Sequence, residues 1–222
     1  MSVIIFAGCD SKIFNLKLNE GQIDYEVTYP VMDPGNVMVD FMPNSMTLRF
    51  KDDKFITELS AGMGMFKTNF IGDGKTHEMS HLVKLVNKKY LTKYNDESIK
   101  KLNDAYEDFT IIETDETKEI AGYDCKKLWI IFYDITMPSF ELYYTQDISI
   151  KDPNFSLPYL NVSGVLMEYQ MKRNGIIMSL KATNVSESKI DDAEFNVPEE
   201  YETISISEME DELNALFETF NY

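Results

Sequence analysis

The sequence predicts an α+β fold dominated by an antiparallel β-sheet. Three observations carry this expectation. Many short segments alternate apolar and polar residues with period two, turn-forming Gly, Asn and Asp separate them, and only a few stretches show helical spacing. The 222 residues contain no internal repeat, no low-complexity tract and no domain boundary, so one domain is expected over 21–222.

Taken in order, Ile23, Tyr25, Val27 and Tyr29 alternate with Asp24, Glu26 and Thr28, the pattern of a half-buried strand ended by Pro30. Residues 33–44 hold Pro34, Gly35 and Pro43 around Val37, Met38 and Phe41, which suggests a short helix. Met46, Leu48 and Phe50 give a second strand and Asp52-Asp53 a turn. Phe55 to Leu59 and Met65 to Ile71 are a third and fourth strand, with a bulge or bend at Ala61-Gly62-Met63-Gly64 and a hairpin turn at Asp73-Gly74. Residues 76–93 fit two readings, a helix or two strands turning near Asn87. Asn95-Asp96-Glu97 reads as a helix start, with Ile99, Leu102, Tyr106 and Phe109 as its apolar face. Strands follow at Thr110 to Thr114, Ala121 to Tyr133 and Phe140 to Thr145, then a loop with Pro153 and Pro158. Val165 to Lys172 and Ile176 to Val185 flank Asn174-Gly175, the clearest hairpin signal in the chain. Ser207-Glu208-Met209-Glu210 reads as a capping box, and Met209, Leu213, Leu216, Phe217 and Phe220 as the stripe of a C-terminal helix.

The formal charge of −17 argues against nucleic acid and against docking on anionic lipid headgroups. Residues 187–218 hold 12 acids and one lysine, so most of the excess belongs to the C-terminal segment, where a solvated helix face accounts for it. Hydrophobic content of 44% excludes global disorder. No apolar stretch approaches the roughly 18–20 residues that span a bilayer.

Val3-Ile4-Ile5-Phe6-Ala7-Gly8-Cys9 resembles the end of a bacterial lipoprotein signal peptide, with small residues before a cysteine that becomes acylated. The basic segment that normally leads such a stretch is missing, which points to a true start upstream. This reading makes 1–9 a signal remnant, Cys9 the lipid-attachment site and 10–20 a tether. A first strand ending in Gly-Cys is the plain alternative. Cys125 is then the second of two cysteines and reads as a small buried hydrophobe.

His77-Glu78-Met79-Ser80-His81 matches H-E-x-x-H, which on a helix would aim two imidazoles at one zinc ion, with Glu78 as general base. No third histidine exists, so Asp96 or Glu97 would have to complete the site. A turn signal at Gly72-Asp73-Gly74 precedes the motif, and on a strand residues i and i+4 lie about 13 Å apart. A zinc peptidase is therefore the weakest reading, and no metal or cofactor is expected.

Thr114 to Lys127, Tyr143-Tyr144-Thr145, Gly164 to Tyr169 and Phe195 to Tyr201 resemble segments of uncharacterised envelope lipoproteins from Gram-negative bacteria. The resemblance spans roughly residues 20–205. It implies a lipoprotein-carrier (LolA/LolB-like) fold, a strongly curved antiparallel half-barrel with helices on one face, a C-terminal helix and an apolar concavity that binds acyl chains. No catalytic residue is implied. Thirteen methionines and 28 aromatics supply deformable apolar surface for such a concavity. Met63, Met65, Phe66, Phe70, Phe140, Met167 and Met171 are the candidate ligand-binding residues, with Met137 and Met178 beside them. The same side chains also fit a filled core. The leading expectation is a non-enzymatic, membrane-anchored periplasmic lipoprotein that binds a lipid or hydrophobic small molecule. The alternative is a protein-interaction or scaffold domain with a filled core, using its acidic C-terminal helix.

Overall fold

The computed structural model describes residues 17–33, 35, 39–173 and 175–218. Cys9, the signal remnant and most of the tether lie outside these residues, as do Val37 and Met38.

Twelve strands among the described residues form one sheet. They are β1 (Glu20–Thr28), β2 (Ser45–Lys51), β3 (Lys54–Ala61), β4 (Phe66–Asp73), β5 (Glu78–Leu85), β6 (Lys88–Tyr94), β7 (Phe109–Ile120), β8 (Tyr123–Phe132), β9 (Phe140–Thr145), β10 (Val165–Arg173), β11 (Ile176–Glu187) and β12 (Glu202–Thr203). The spatial order is β12-β6-β5-β4-β3-β2-β1-β11-β10-β9-β8-β7. The sheet is open, curved and antiparallel except for the short β12–β6 pair. Only α1 (Asp96–Asp104) and α2 (Ile206–Glu218) are α-helical among the described residues, so the fold is mostly β rather than α+β. The reason is local: the ambiguous 76–93 segment is two strands, and the helix after Asn95 stops early.

Each element follows from its residues. The alternation in β1 buries Ile23, Tyr25 and Val27 on one face. Val86 takes a positive φ of 55° in the β5–β6 turn, and its N–H donates to the Met65 carbonyl. That contact fixes the hairpin where helical spacing had been an equal reading. Asn95 caps α1 by accepting from the Ser98 N–H, while the Ser98 hydroxyl accepts from the Asn95 N–H. Helix α1 ends at Asp104, so Tyr106 and Phe109 leave the helical face expected of them. They join Phe132, Phe140 and Tyr159 in an aromatic cluster with ring centroids 5.6–6.5 Å apart. Strand β7 runs to Ile120, past the expected end at Thr114, through the charged stretch Thr114–Glu119. It is an edge strand, where charged side chains are tolerated and guard against stray pairing. The two-residue Ala121-Gly122 turn, with φ of 50° and 83°, closes the β7–β8 hairpin. The expected helix in 33–44 is reduced to one 3₁₀ turn, Val39–Phe41.

The C-terminal segment wraps the sheet edge. Residues Ile56 and Ile71 oppose each other across β3 and β4 and pack with Ile190 and Phe195. The next residues, Thr57 and Phe70, are likewise paired and by the period of two lie on the opposite, concave face. The chain then adds β12 beside β6 and enters α2, whose Met209 and Leu213 pack on Val83, with Phe66 and Tyr90 alongside. Val83 pairs with Thr68, so α2 sits on the concave face. The acids of this segment are not simply solvated: Asp192 pairs with Lys51, Glu194 with Arg49, Glu200 with Lys89 and Glu212 with Lys88.

The capping box of α2 starts two residues earlier than expected. Ser205, not Ser207, is the cap: the Ser205 hydroxyl accepts from the Glu208 N–H, and the Glu208 carboxylate accepts from the Ser205 N–H at 2.8 Å. Both Ser-x-x-Glu frames are present in the sequence. The bond from the Ile204 N–H to the Leu91 carbonyl ends the strand just before Ser205 and selects the first. Loss of an N-cap costs about 1 kcal/mol, which is about 2–4 °C of melting temperature in a chain of this size. Ser205→Ala is expected to lower the thermal midpoint by that amount and Ser207→Ala to leave it unchanged, read by circular dichroism.

Candidate functional site

The concave face is filled unevenly. On the β7–β10 side, the aromatic cluster and the 146–164 segment fill it. Tyr159 is fully buried and donates to the Gln170 carbonyl at 2.6 Å. Asn154, also buried, donates to the carbonyls of Val162 and Gly164, both at 2.8 Å. The segment is seated against the β4–β5 turn: a Cβ on Gly74 would lie 1.7 Å from the Lys151 carbonyl oxygen, so only glycine fits there.

On the other side a cavity of about 150 Å³ remains, partly open to solvent. Its walls come from β1–β5, β10 and β11, closed by the 153–157 loop and by Leu213 of α2. Most of the lining is apolar, as in Met46, Leu48, Phe55, Leu59, Met178 and Leu180. Tyr25 and Tyr169 form part of it as an edge-to-face pair at 6.3 Å, and the Tyr25 hydroxyl donates to the Leu166 carbonyl at 2.8 Å. Burial pushes both phenols up, so they stay neutral.

The polar side chains of the lining include Thr57, Asn154 and Ser156, and a separate group of Thr68, His81 and Arg173 that gathers around Phe70. His81 is 2% exposed. Its Nε2 lies 2.8 Å from the Thr68 hydroxyl, and its ring stacks on Phe70 at 4.1 Å between centroids. Its Nδ1 is buried without a hydrogen-bond partner. Arg173, the last residue of β10, places its guanidinium 5.2 Å from the centre of the Phe70 ring. Burial holds the His81 pKa well below the ordinary imidazole value, and the Arg173 charge adds to this.

Of the candidate ligand-binding residues, Phe66, Phe70 and Met171 line the cavity. Met178, named beside them, does so too. Met167 is fully buried in the filled core, Phe140 belongs to the aromatic cluster, and Met65 is 53% exposed near the β5–β6 turn. The Met63 side chain and Cys9 lie outside what is described. Cys125 is fully buried, and burial pushes its thiol up to about 11. Sequence reasoning missed His81 and Arg173 as cavity residues. The signal for Arg173 was available, since it shares the parity of Tyr169 and Met171 on β10.

The zinc motif does not assemble. His77 lies in the β4–β5 turn with a φ of 54°, stacked on Phe155 at 5.1 Å. Its ring nitrogens face Asp96 at 3.4 Å and Asp152 at 3.2 Å. His81 is inside β5, on Thr68 and Phe70. The two imidazoles serve different neighbourhoods because a turn and a strand, not a helix, carry them. Among the described residues no group of three potential ligands could hold a metal ion.

A family model described as N-glycanase peptide, N-terminal domain, matches residues 63–206, well over half of the chain. The solved structure of PNGF-II in the P21 space group is similar at TM-score 0.54 and 19% identity, covering 87% of this chain and 33% of that one. Its C2 form gives 0.54 and 19%, covering 86% and 32%. The chain thus spans about a third of the length of PNGF-II, and at this identity the likeness shows the fold alone. The MucA/MucB complex of Pseudomonas aeruginosa is more distant, at TM-score 0.36 and 9% identity over 86% of this chain and 60% of that one. No curated protein matches the chain.

The depressed His81 pKa has a stability consequence. The imidazole is neutral when folded and protonates near 6.5 when unfolded, so its contribution is complete above that value and is lost as pH falls below it. The thermal midpoint is expected to fall between about pH 6.5 and 5, and His81→Leu to flatten that slope.

Proposed function

The chain belongs to the N-glycanase peptide N-terminal domain family, and from that premise we propose that it is a non-catalytic binding module that takes an apolar ligand into its concave face. The observation that carries this reading is the cavity itself, about 150 Å³ walled mainly by Met, Phe, Leu and Tyr side chains on the inside of the sheet. A close-packed domain of this size has few voids larger than a water molecule. Methionine and aromatic walls adapt to ligands of varied shape, and clefts of this composition are the usual form of a small-molecule site. The resemblance of Thr114 to Lys127 and Phe195 to Tyr201 to envelope lipoproteins implies the same kind of ligand, by analogy only. Acylation at Cys9 and an envelope location belong to this proposal. The name of the family concerns a longer protein, and glycan release is not assigned to this chain.

The interaction-domain alternative is weakened by two features. The concave face is left unfilled on the β1–β5 side, and several acids of the C-terminal segment pair with bases of β2 and β6 rather than forming one free surface.

N-Phenylnaphthylamine fluorescence tests the cavity. The dye is expected to bind the purified protein with saturation. Leu48→Trp, which fills the cavity from β2, is expected to weaken binding about tenfold or more while the protein stays folded; a roughly 1.4 kcal/mol loss corresponds to that factor. Unchanged binding in a folded Leu48→Trp protein would sink the reading.

A further inference from the structure

We propose that the cavity selects amphiphiles with an oxyanion head, a short apolar chain ending in a carboxylate or phosphate that meets Arg173 and His81. The inference rests on the cavity-binding reading above and specifies its ligand class.

Two groups, Arg173 on β10 and His81 on β5, point to the head. Arg173 lines the cavity and is half-buried. Of the groups that act on it, Tyr94 is a phenol that burial keeps neutral, and Glu210 acts by charge without an ion pair. Among the described residues, no carboxylate lies within ion-pairing distance of it, in a chain with 38 acids. Arg49, by contrast, is held between Glu58 and Glu194 at 3.6 and 2.6 Å. A guanidinium drawn out of water without an anion is unfavourable, and its planar fork matches carboxylate and phosphate oxygens. The second group is the buried, unpartnered Nδ1 of His81. If the Thr68 hydroxyl donates to Nε2, the proton of the neutral ring sits on Nδ1 and becomes a donor. Phe70 lies against both side chains, so they meet at one locus of a mostly apolar lining.

The remaining lining demands that the rest of the ligand be apolar. A cavity near 150 Å³ is of the order that holds a benzene ring, which suits a chain of about six to eight carbons. The overall charge of −17 opposes anions at long range, so selection must come from this local cation.

Octanoate, octyl phosphate and 1-octanol, titrated against the intact protein by displacement of N-phenylnaphthylamine, separate the possibilities. At least one of the two anions is expected to bind about tenfold or more tighter than the alcohol, as a charge-assisted hydrogen bond provides. The ratio between the two anions identifies the preferred head. Arg173→Met is expected to bring the ratio of anion to octanol affinity, read within the same protein, close to one, and Arg173→Lys to keep part of the preference. If the alcohol binds as tightly as both anions, or a folded Arg173→Met protein keeps the preference, the inference is overturned and the apolar cavity stands. If neither the dye nor any octyl compound binds, the cavity reading fails and this one with it. The wild-type comparison decides the matter even where a variant does not fold.

Discussion

Strand β1 is hydrogen-bonded along both edges, to β2 over Glu20–Glu26 and to β11 over Gly21–Thr28. Everything else in the sheet depends on this. Strands β2–β6 and β7–β11 are two antiparallel meanders, and β1 is the strand that joins them into one curved surface. Unpaired strand edges would otherwise be left in the middle of the molecule, with their N–H and C=O groups short of partners. The alternation of β1 turns Ile23, Tyr25 and Val27 to one buried face. A register slip of one residue would turn those side chains out and Asp24 and Glu26 in.

The same topology creates the concavity and decides how it is filled. The chain leaves the sheet near one edge at β6 and re-enters at the opposite edge in β7, with α1 in the crossing. The β9–β10 connection folds back under the β7–β10 half, where Tyr159 is buried. The other half receives only the tip of that loop and part of α2, so its inner side chains face one another across a space. Filling is unequal because these inserted segments are unequal.

Charge follows the path of the backbone. The C-terminal segment runs from the convex face, around the β6 edge, to the concave face, and its acids meet bases on β2 and β6 along the way. Exposed pairs of this kind contribute little each. The burial of Ile190, Phe195, Met209 and Leu213 is the larger anchor, and the pairs set where the segment lies.

Much of the sheet was legible in the sequence, since a period of two along a strand is a local property. The strands at 23–29, 46–51, 55–59, 165–172 and 176–185 follow from it directly, while the cap at Asn95 and the burial of Cys125 follow from residue type. What the sequence left open was decided by contacts between distant residues. Leu82, Val83 and Tyr90 fit a helix or a hairpin, and pairing with β4 selected the hairpin. Ser205 and Ser207 both begin a Ser-x-x-Glu frame, and the bond from Ile204 to Leu91 selected Ser205. The histidine motif read as a chelate on a helix became one turn residue and one strand residue. Composition supplied apolar residues enough for either a core or a cavity. Only the tertiary structure placed Met167 in the first and Met171 in the second, because whether an inward side chain finds a partner depends on which segment crosses above it.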